Sequence, residues 1–285
     1  MKGPHPVLRV FLLTTWLWGG TGLLYAAELA ELEQRAYAHL QQTPPDWGAA
    51  RAAFKVAADA GSSRAMAYLG WIFETGQGVE INGEKAAYWY AEAARAGALD
   101  YAVKLGWMYL SGDAVPADRE QAEYWFGMAI EQEHVPAKLA LASVIIADAL
   151  GGRDIDRIYE SRALLEQVLE AGDLTAAFFL ARLYIEGIGG HPTDAEKAAY
   201  YTRLGAESGH AQMQGWLAQM YLQGAGVPQD DIEAGKWALL AAAGGDLLGQ
   251  QLNAVLDAEL SDSDKEQVVT RAMSWMRDRQ NAANR

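Results

Sequence analysis

The sequence predicts an all-α protein, a solenoid of stacked helix pairs, and three observations carry that prediction. The chain repeats itself: Tyr68-Leu69-Gly70-Trp71-Ile72-Phe73 aligns with Lys104-Leu105-Gly106-Trp107-Met108-Tyr109 at an offset of 36 residues. The same offset carries Gly76 to Gly112, Val79 to Val115, Ala86 to Ala122, Trp89 to Trp125 and Ala93 to Ala129. Further on, Leu180-Ala181-Arg182-Leu183-Tyr184 answers to Leu217-Ala218-Gln219-Met220-Tyr221 at an offset of 37. Within each unit, apolar and small residues recur at helical spacing and each helical pattern runs into a glycine stop. Neither helix of such a pair can bury its apolar face alone, so neighbouring units must stack.

Taken in order, residues 1–27 read as an export signal: Lys2 and Arg9 supply the positive start, residues 10–24 are apolar, and Tyr25-Ala26-Ala27 ends in small residues. Two readings stay open, a Sec signal removed at Ala26 or Ala27 and an uncleaved anchor, for which residues 10–27 barely reach spanning length. Residues 28–61 form a divergent opening pair, a helix near residues 32–41 and another over 47–60, joined by Thr43-Pro44-Pro45-Asp46. Five repeats follow, at about 62–97, 98–133, 134–172, 173–209 and 210–245. In each, the first helix carries residues such as Ala65, Leu69, Ile72 and Phe73 and stops at a glycine loop (Gly76-Gln77-Gly78), and the second runs from Ala86 through Trp89 and Ala93 to Gly97. The third copy is degenerate, with Leu141-Ala142 at the Leu-Gly place, Leu164 at the Trp place and extra residues around Gly151-Gly152-Arg153.

The small residue after the recurring Leu (Gly70, Gly106, Ala142, Ala181, Ala218) lets helices approach closely. The second-helix aromatics Trp89, Trp125, Tyr201 and Trp237 are expected to fill the gap against the next unit as core. Residues 246–279 read as capping helices, one over 247–256 and one over 265–279 behind Ser261-Asp262-Ser263-Asp264, and residues 280–285 as a flexible tail.

These residues resemble the Sel-one-like repeat, a variant of the tetratricopeptide unit. Its pattern, Ala-x-x-x-Leu-Gly-x-Met-Tyr, then Gly-x-Gly-Val, then Asp…Ala-x-x-Trp…Ala-Ala…Gly, is matched by Ala102…Leu105-Gly106-Trp107-Met108-Tyr109, by Gly224-Ala225-Gly226-Val227-Pro228-Gln229-Asp230 and by Ala86…Trp89…Ala93-Ala94…Gly97. The resemblance covers residues 34–245 and departs from the pattern at Ala114, at Ala for Gly in copies three to five, and in the irregular third copy. It implies a right-handed α-α superhelix whose first helices line a concave groove, and adaptor or regulatory work through protein binding. Some relatives are linked to penicillin binding or hydrolysis, but those members are cysteine-rich and this chain has no cysteine.

Composition narrows the chemistry. With no Cys there are no disulfides, thiolate metal sites or Cys nucleophiles, and the chain suits an oxidising periplasm. A net charge of −14, taken to −16 if Lys2 and Arg9 leave with the signal, disfavours nucleic acid and favours a partner with a basic face. The five His residues show no metal-ligand spacing, and neither Ser-x-x-Lys nor Gly-x-Ser-x-Gly occurs. The Gly-x-Gly runs recur at helix ends, where left-handed backbone is needed, and none has the strand and Lys of a phosphate loop. No catalytic residue, metal or cofactor is therefore expected.

If the Leu-Gly pair fixes the register, the next position points into the groove: Trp71, Trp107, Ser143, Arg182 and Gln219. One turn on lie Glu74, Leu110, Ile146, Ile185 and Leu222, and earlier in the same helices Arg64, Asp100, Phe178 and Gln212. Two Trp one repeat apart fit paired binding anchors, with packing against neighbouring helices as the alternative. Arg182 either clamps a carboxylate or pairs with Glu186. The expected function is an exported interaction scaffold that clasps a protein or peptide, as an envelope-complex component or as an immunity protein against a secreted toxin. The alternative is a cell-wall glycan binder or β-lactam-active envelope enzyme, since aromatic grooves also stack on sugars.

Overall fold

The computed structural model describes residues 26–284, so the expected export signal lies outside the described residues except for Ala26 and Ala27. Among the described residues there are helices and turns and no strand. They fall into two compact units, divided between Ala137 and Lys138.

The first unit holds α1 (residues 26–40), α2 (Trp47–Asp59), α3 (Ser63–Thr75), α4 (Gly83–Arg95), α5 (Asp100–Ser111) and α6 (Arg119–Ile130). Helix α1 is already formed at residue 26, ahead of the expected start near residue 32, because Glu28-Leu29-Ala30-Glu31 contains nothing that breaks a helix. The α3–α4 and α5–α6 pairs are built alike. Gly76 and Gly112 end the first helices with φ of 74° and 72°, a left-handed turn that glycine takes without Cβ strain. Asn82 and Asp118 then cap the second helices, accepting from the amides of Lys85 and Gln121. The same two caps tie back by their own amides to the carbonyls of Phe73 (2.8 Å) and Tyr109 (2.9 Å), closing each loop onto the helix it left.

Helix α7 (Val135–Leu150) crosses the division, and the second unit continues with α8 (Ile158–Glu170), α9 (Thr175–Glu186), α10 (Ala195–Glu207), α11 (Ala211–Gln223), α12 (Asp231–Ala243), α13 (Leu247–Glu259) and α14 (Asp262–Ala283). The α9–α10 and α11–α12 pairs repeat the device: Gly187 and Gly224 end the first helices, Asp194 and Asp230 cap the second, and their amides reach Tyr184 and Tyr221 carbonyls at 3.1 Å. The degenerate copy keeps the close approach differently, with buried Ser161 donating to the Ala142 carbonyl at 3.1 Å.

Two expectations need correction. The gap beside the small residue is not filled by the Trp. A Cβ at Gly70 would run into the Tyr90 ring and one at Gly106 into the Phe126 ring, so the residue after each Trp takes that space within the same unit. Trp89 packs back on the preceding pair, against the Ala50–Phe54–Leu69 core with Lys55 over its ring, and Trp125 shares one core cluster with Ala87, Ala91 and Ala94 of the preceding pair and Ala137 of the next, with Arg95 over its ring. Trp125 and Trp237 are buried, while Trp89 and Tyr201 are partly covered. The C-terminus is also helical beyond Arg279, because Gln280-Asn281-Ala282-Ala283 carries neither Gly nor Pro and α14 simply continues.

Candidate partner-binding surface

In the first unit, the residues one position after Gly70 and Gly106 stand at the surface, Trp71 at 37% exposure and Trp107 at 45%. Both rings are held. Trp71 lies against Trp47 (ring centroids 6.0 Å apart) and edge-on to Tyr68 (6.3 Å), and Tyr68 stacks on buried Phe54 at 4.8 Å. Trp107 meets the buried Phe126 ring edge-on at 5.6 Å. A hollow of about 360 Å³ is lined by Ala67, Tyr68, Trp71, Tyr90, Tyr101 and Lys104. A second, of about 470 Å³, runs along Lys104, Trp107, Met108, Leu110 and Ser111. Lys104 lines both, so the two Trp belong to adjoining hollows on one surface.

Lys104 is fixed from beneath. Its ammonium donates to Glu74 at 2.7 Å and lies over the Tyr90 ring at 4.6 Å, and the Tyr90 hydroxyl donates to the same Glu74 oxygen at 2.7 Å. Burial, then the bond to Glu74, pushes the Tyr90 phenol well above its ordinary range, so it remains a donor. Glu74 is thus engaged within the fold. Arg64 pairs with Glu33 at 2.8 Å, and the exposed Asp100 carboxylate stands 3.1 Å from His134.

In the second unit, of the two readings of Arg182 the structure shows the pair with Glu186, Nε to Oε1 at 2.7 Å and Nη2 to Oε2 at 2.9 Å. Phe178 stacks on Trp216 at 5.3 Å and on His210 at 5.5 Å. Exposed Gln219 lines a cleft of about 410 Å³ with Trp216, Ile185 and Glu186. Gln212 is exposed, and Leu110 and Leu222 are partly covered. Ser143 turns back to the Ala140 carbonyl at 2.7 Å, and Ile146 is buried at 3%, a correction to the groove-facing series: α7 is apolar on more of its circumference than the other first helices. In the first unit Trp71, Trp107 and Leu110 line adjoining hollows over Glu74, and in the second Gln219 and Glu186, the partner of Arg182, line one cleft.

Sequence reasoning misses Trp47, Tyr68, Tyr90, Tyr101 and Lys104. The missed signal was the aromatic that directly follows the second-helix Trp, Tyr90 after Trp89 and Phe126 after Trp125. Among the described residues, no group of three or more His, Asp or Glu side chains is placed to hold a metal, and no helix is long and apolar enough to cross a membrane.

A family model described as Sel1 repeat matches residues 63–97, 100–134, 174–210 and 211–246, just over half of the chain. The chain belongs to the Sel1 repeat family. The unmatched stretch between the second and third segments holds α7 and α8, where the extra residues sit. Among solved Sel1-type structures, a protective antigen of uropathogenic Escherichia coli with an SLR fold is 25% identical with a TM-score of 0.65, over 82% of this chain and 49% of that one. The chain thus spans about half the length of that antigen. A Sel1 repeat protein from Oxalobacter formigenes is 25% identical with a TM-score of 0.58, over 80% of this chain and 88% of that one. No curated protein matches the chain. Sel1 repeats are typical of protein-interaction scaffolds and are generally without enzymatic activity.

Proposed function

We propose that this Sel1 repeat protein is an exported interaction scaffold that binds a partner protein on the Trp71–Lys104–Trp107 surface. The observation that supports it is the pair of half-exposed tryptophans, 36 residues apart, each braced by aromatic rings and joined by one anchored lysine. Large rigid side chains already held in place lose little freedom on binding, which is what makes Trp an effective anchor. The partner contributes apolar side chains to the two hollows and a basic rim toward a chain of net charge −14. Export rests on the apolar, positively started residues 1–27, and cell fractionation tests it.

The deciding experiment is in-cell crosslinking and recovery with the native chain and its W71A/W107A variant, after circular dichroism shows equal helicity. A protein recovered by the native chain and lost with the variant supports the reading. Recovery unchanged by the variant moves binding away from this surface, and binding of muropeptides in place of a protein replaces it with the glycan reading.

A further inference from the structure

Helix α14 has two faces of different character. The inner face fixes it to the second unit: Val268 and Ala272 are buried, Trp275 meets Trp237 edge-on at 5.8 Å, and Arg271 pairs with Glu233 at 2.8 Å. The residue that follows each of Val268, Ala272 and Trp275 lies on a flank of the helix and is apolar and exposed. Val269, Met273 and Met276 stand 41%, 56% and 46% exposed, at the spacing that lines them up along one stripe. Because the inner contacts set the rotation of the helix, the stripe's position is set as well.

The charges beside the stripe say what covers it. Glu266 lies before Val269 and Arg277 beside Met276; both are exposed, and neither has an ion-pair partner among the described residues. The first turns of α14 carry Asp262, Asp264 and Glu266 with Lys265, which faces Asp257 at 3.9 Å, and the last turns carry Arg277 and Arg279 with Asp278, Arg279 lying over the Trp275 ring. Over the whole helix, Lys265, Arg271, Arg277 and Arg279 balance Asp262, Asp264, Glu266 and Asp278, so α14 is neutral in a chain of net charge −14. A stripe that is acidic at one end and basic at the other is complementary to itself turned end for end.

We propose that the protein pairs with a second copy of itself through α14, the two helices antiparallel about a twofold axis near Met273. Met273 then meets Met273 of the second copy at the axis, Val269 faces Met276, and Glu266 comes within one helical turn of Arg277, twice by symmetry. Opposed helix dipoles favour the same orientation. A parallel pairing would set Glu266 against Glu266 and Arg277 against Arg277. The inference is independent of the Trp71–Trp107 surface, which lies in the other unit.

The test is sedimentation velocity on the purified protein, in the form the cell produces, over a concentration series, with M273E, E266R, R277E and the E266R/R277E double variant, each first shown by circular dichroism to be as helical as the parent. The parent should show a concentration-dependent dimer. M273E and each single charge reversal should weaken it about tenfold or more, and the double reversal should recover most of the loss. A parent that stays monomeric throughout, a dimer indifferent to M273E, or a double reversal no better than the singles overturns the proposal.

Discussion

The Tyr90 hydroxyl donates to Glu74 at 2.7 Å, and the carboxylate oxygen that receives it also receives Lys104 at 2.7 Å. One acceptor thereby joins α3, α4 and α5, and the lysine between the two exposed tryptophans is held by the fold before any partner arrives. Replacing Glu74 with Ala should cost about 1–2 kcal/mol, read as a lowered urea midpoint. It should also slow partner binding, because Lys104 then has to be ordered on contact.

Trp107 and Trp125 sit in neighbouring helices with opposite roles. Trp125 is buried among alanines, and Trp125→Ala should cost about 3–5 kcal/mol. Trp107 is half exposed, so Trp107→Ala should cost about 1 kcal/mol while removing partner recovery. Equilibrium unfolding of the two variants side by side checks the contrast.

Gly106→Ala places a methyl group in the Phe126 ring. Although alanine favours a helix, the clash should leave the variant about 1–3 kcal/mol less stable, and Phe126→Leu in the same chain should return part of the loss. Thermal unfolding of the single and double variants measures it.

Acid should act at two groups in the second unit, buried His191 and partly covered Glu233. Burial lowers the His191 imidazole below its ordinary 6.5, nearby Arg162 and Lys197 add to this, and the bond to the Pro192 carbonyl only partly opposes them. As pH falls through 6.5 the unfolded chain takes a proton that the folded one refuses, so stability declines from there down to the folded value. Burial alone would raise Glu233, but hydrogen bonds from Lys236 and Arg271 outweigh it and hold the carboxyl below its ordinary range. Its contribution is full above the ordinary 4.5 and is lost as pH falls through the folded value, loosening α14 from α12. Urea unfolding against pH should show the first loss, flattened in His191→Phe, and hydrogen exchange in α14 at low pH the second.

The repeat, its helix pairs and its glycine stops were legible because each recurs in register: Gly76, Gly112, Gly187 and Gly224 all end first helices. The partial exposure of Trp71 and Trp107 had to be seen in the structure, since the register left a packed Trp as the alternative. What periodicity does not contain is which neighbour a side chain meets. Trp89 and Trp125 each meet a cation of the preceding pair, Lys55 and Arg95, over their rings. The engagement of Glu74 with Lys104 spans 30 residues and no local pattern marks it. Ile146 shows the limit of transferring a register: the same position is surface in one copy and core in another, because α7 is more apolar than its counterparts.

The loop that closes each unit is built from parts supplied by that unit alone: a glycine ending its first helix, an Asn or Asp opening its second, and one backbone bond between them. Such a junction makes its own hydrogen bonds, and glycine at Gly78 and Gly83 lets it pack closely on Trp47 and Ala114 of the neighbouring pairs. Recombination that exchanges Gly76 for Gly112, or Asn82 for Asp118, removes or adds a whole helix pair without creating a turn the chain has not already solved. Variation in repeat number is therefore a change this architecture offers readily to evolution, except between α4 and α5, where an inserted pair would part Lys104 from Glu74.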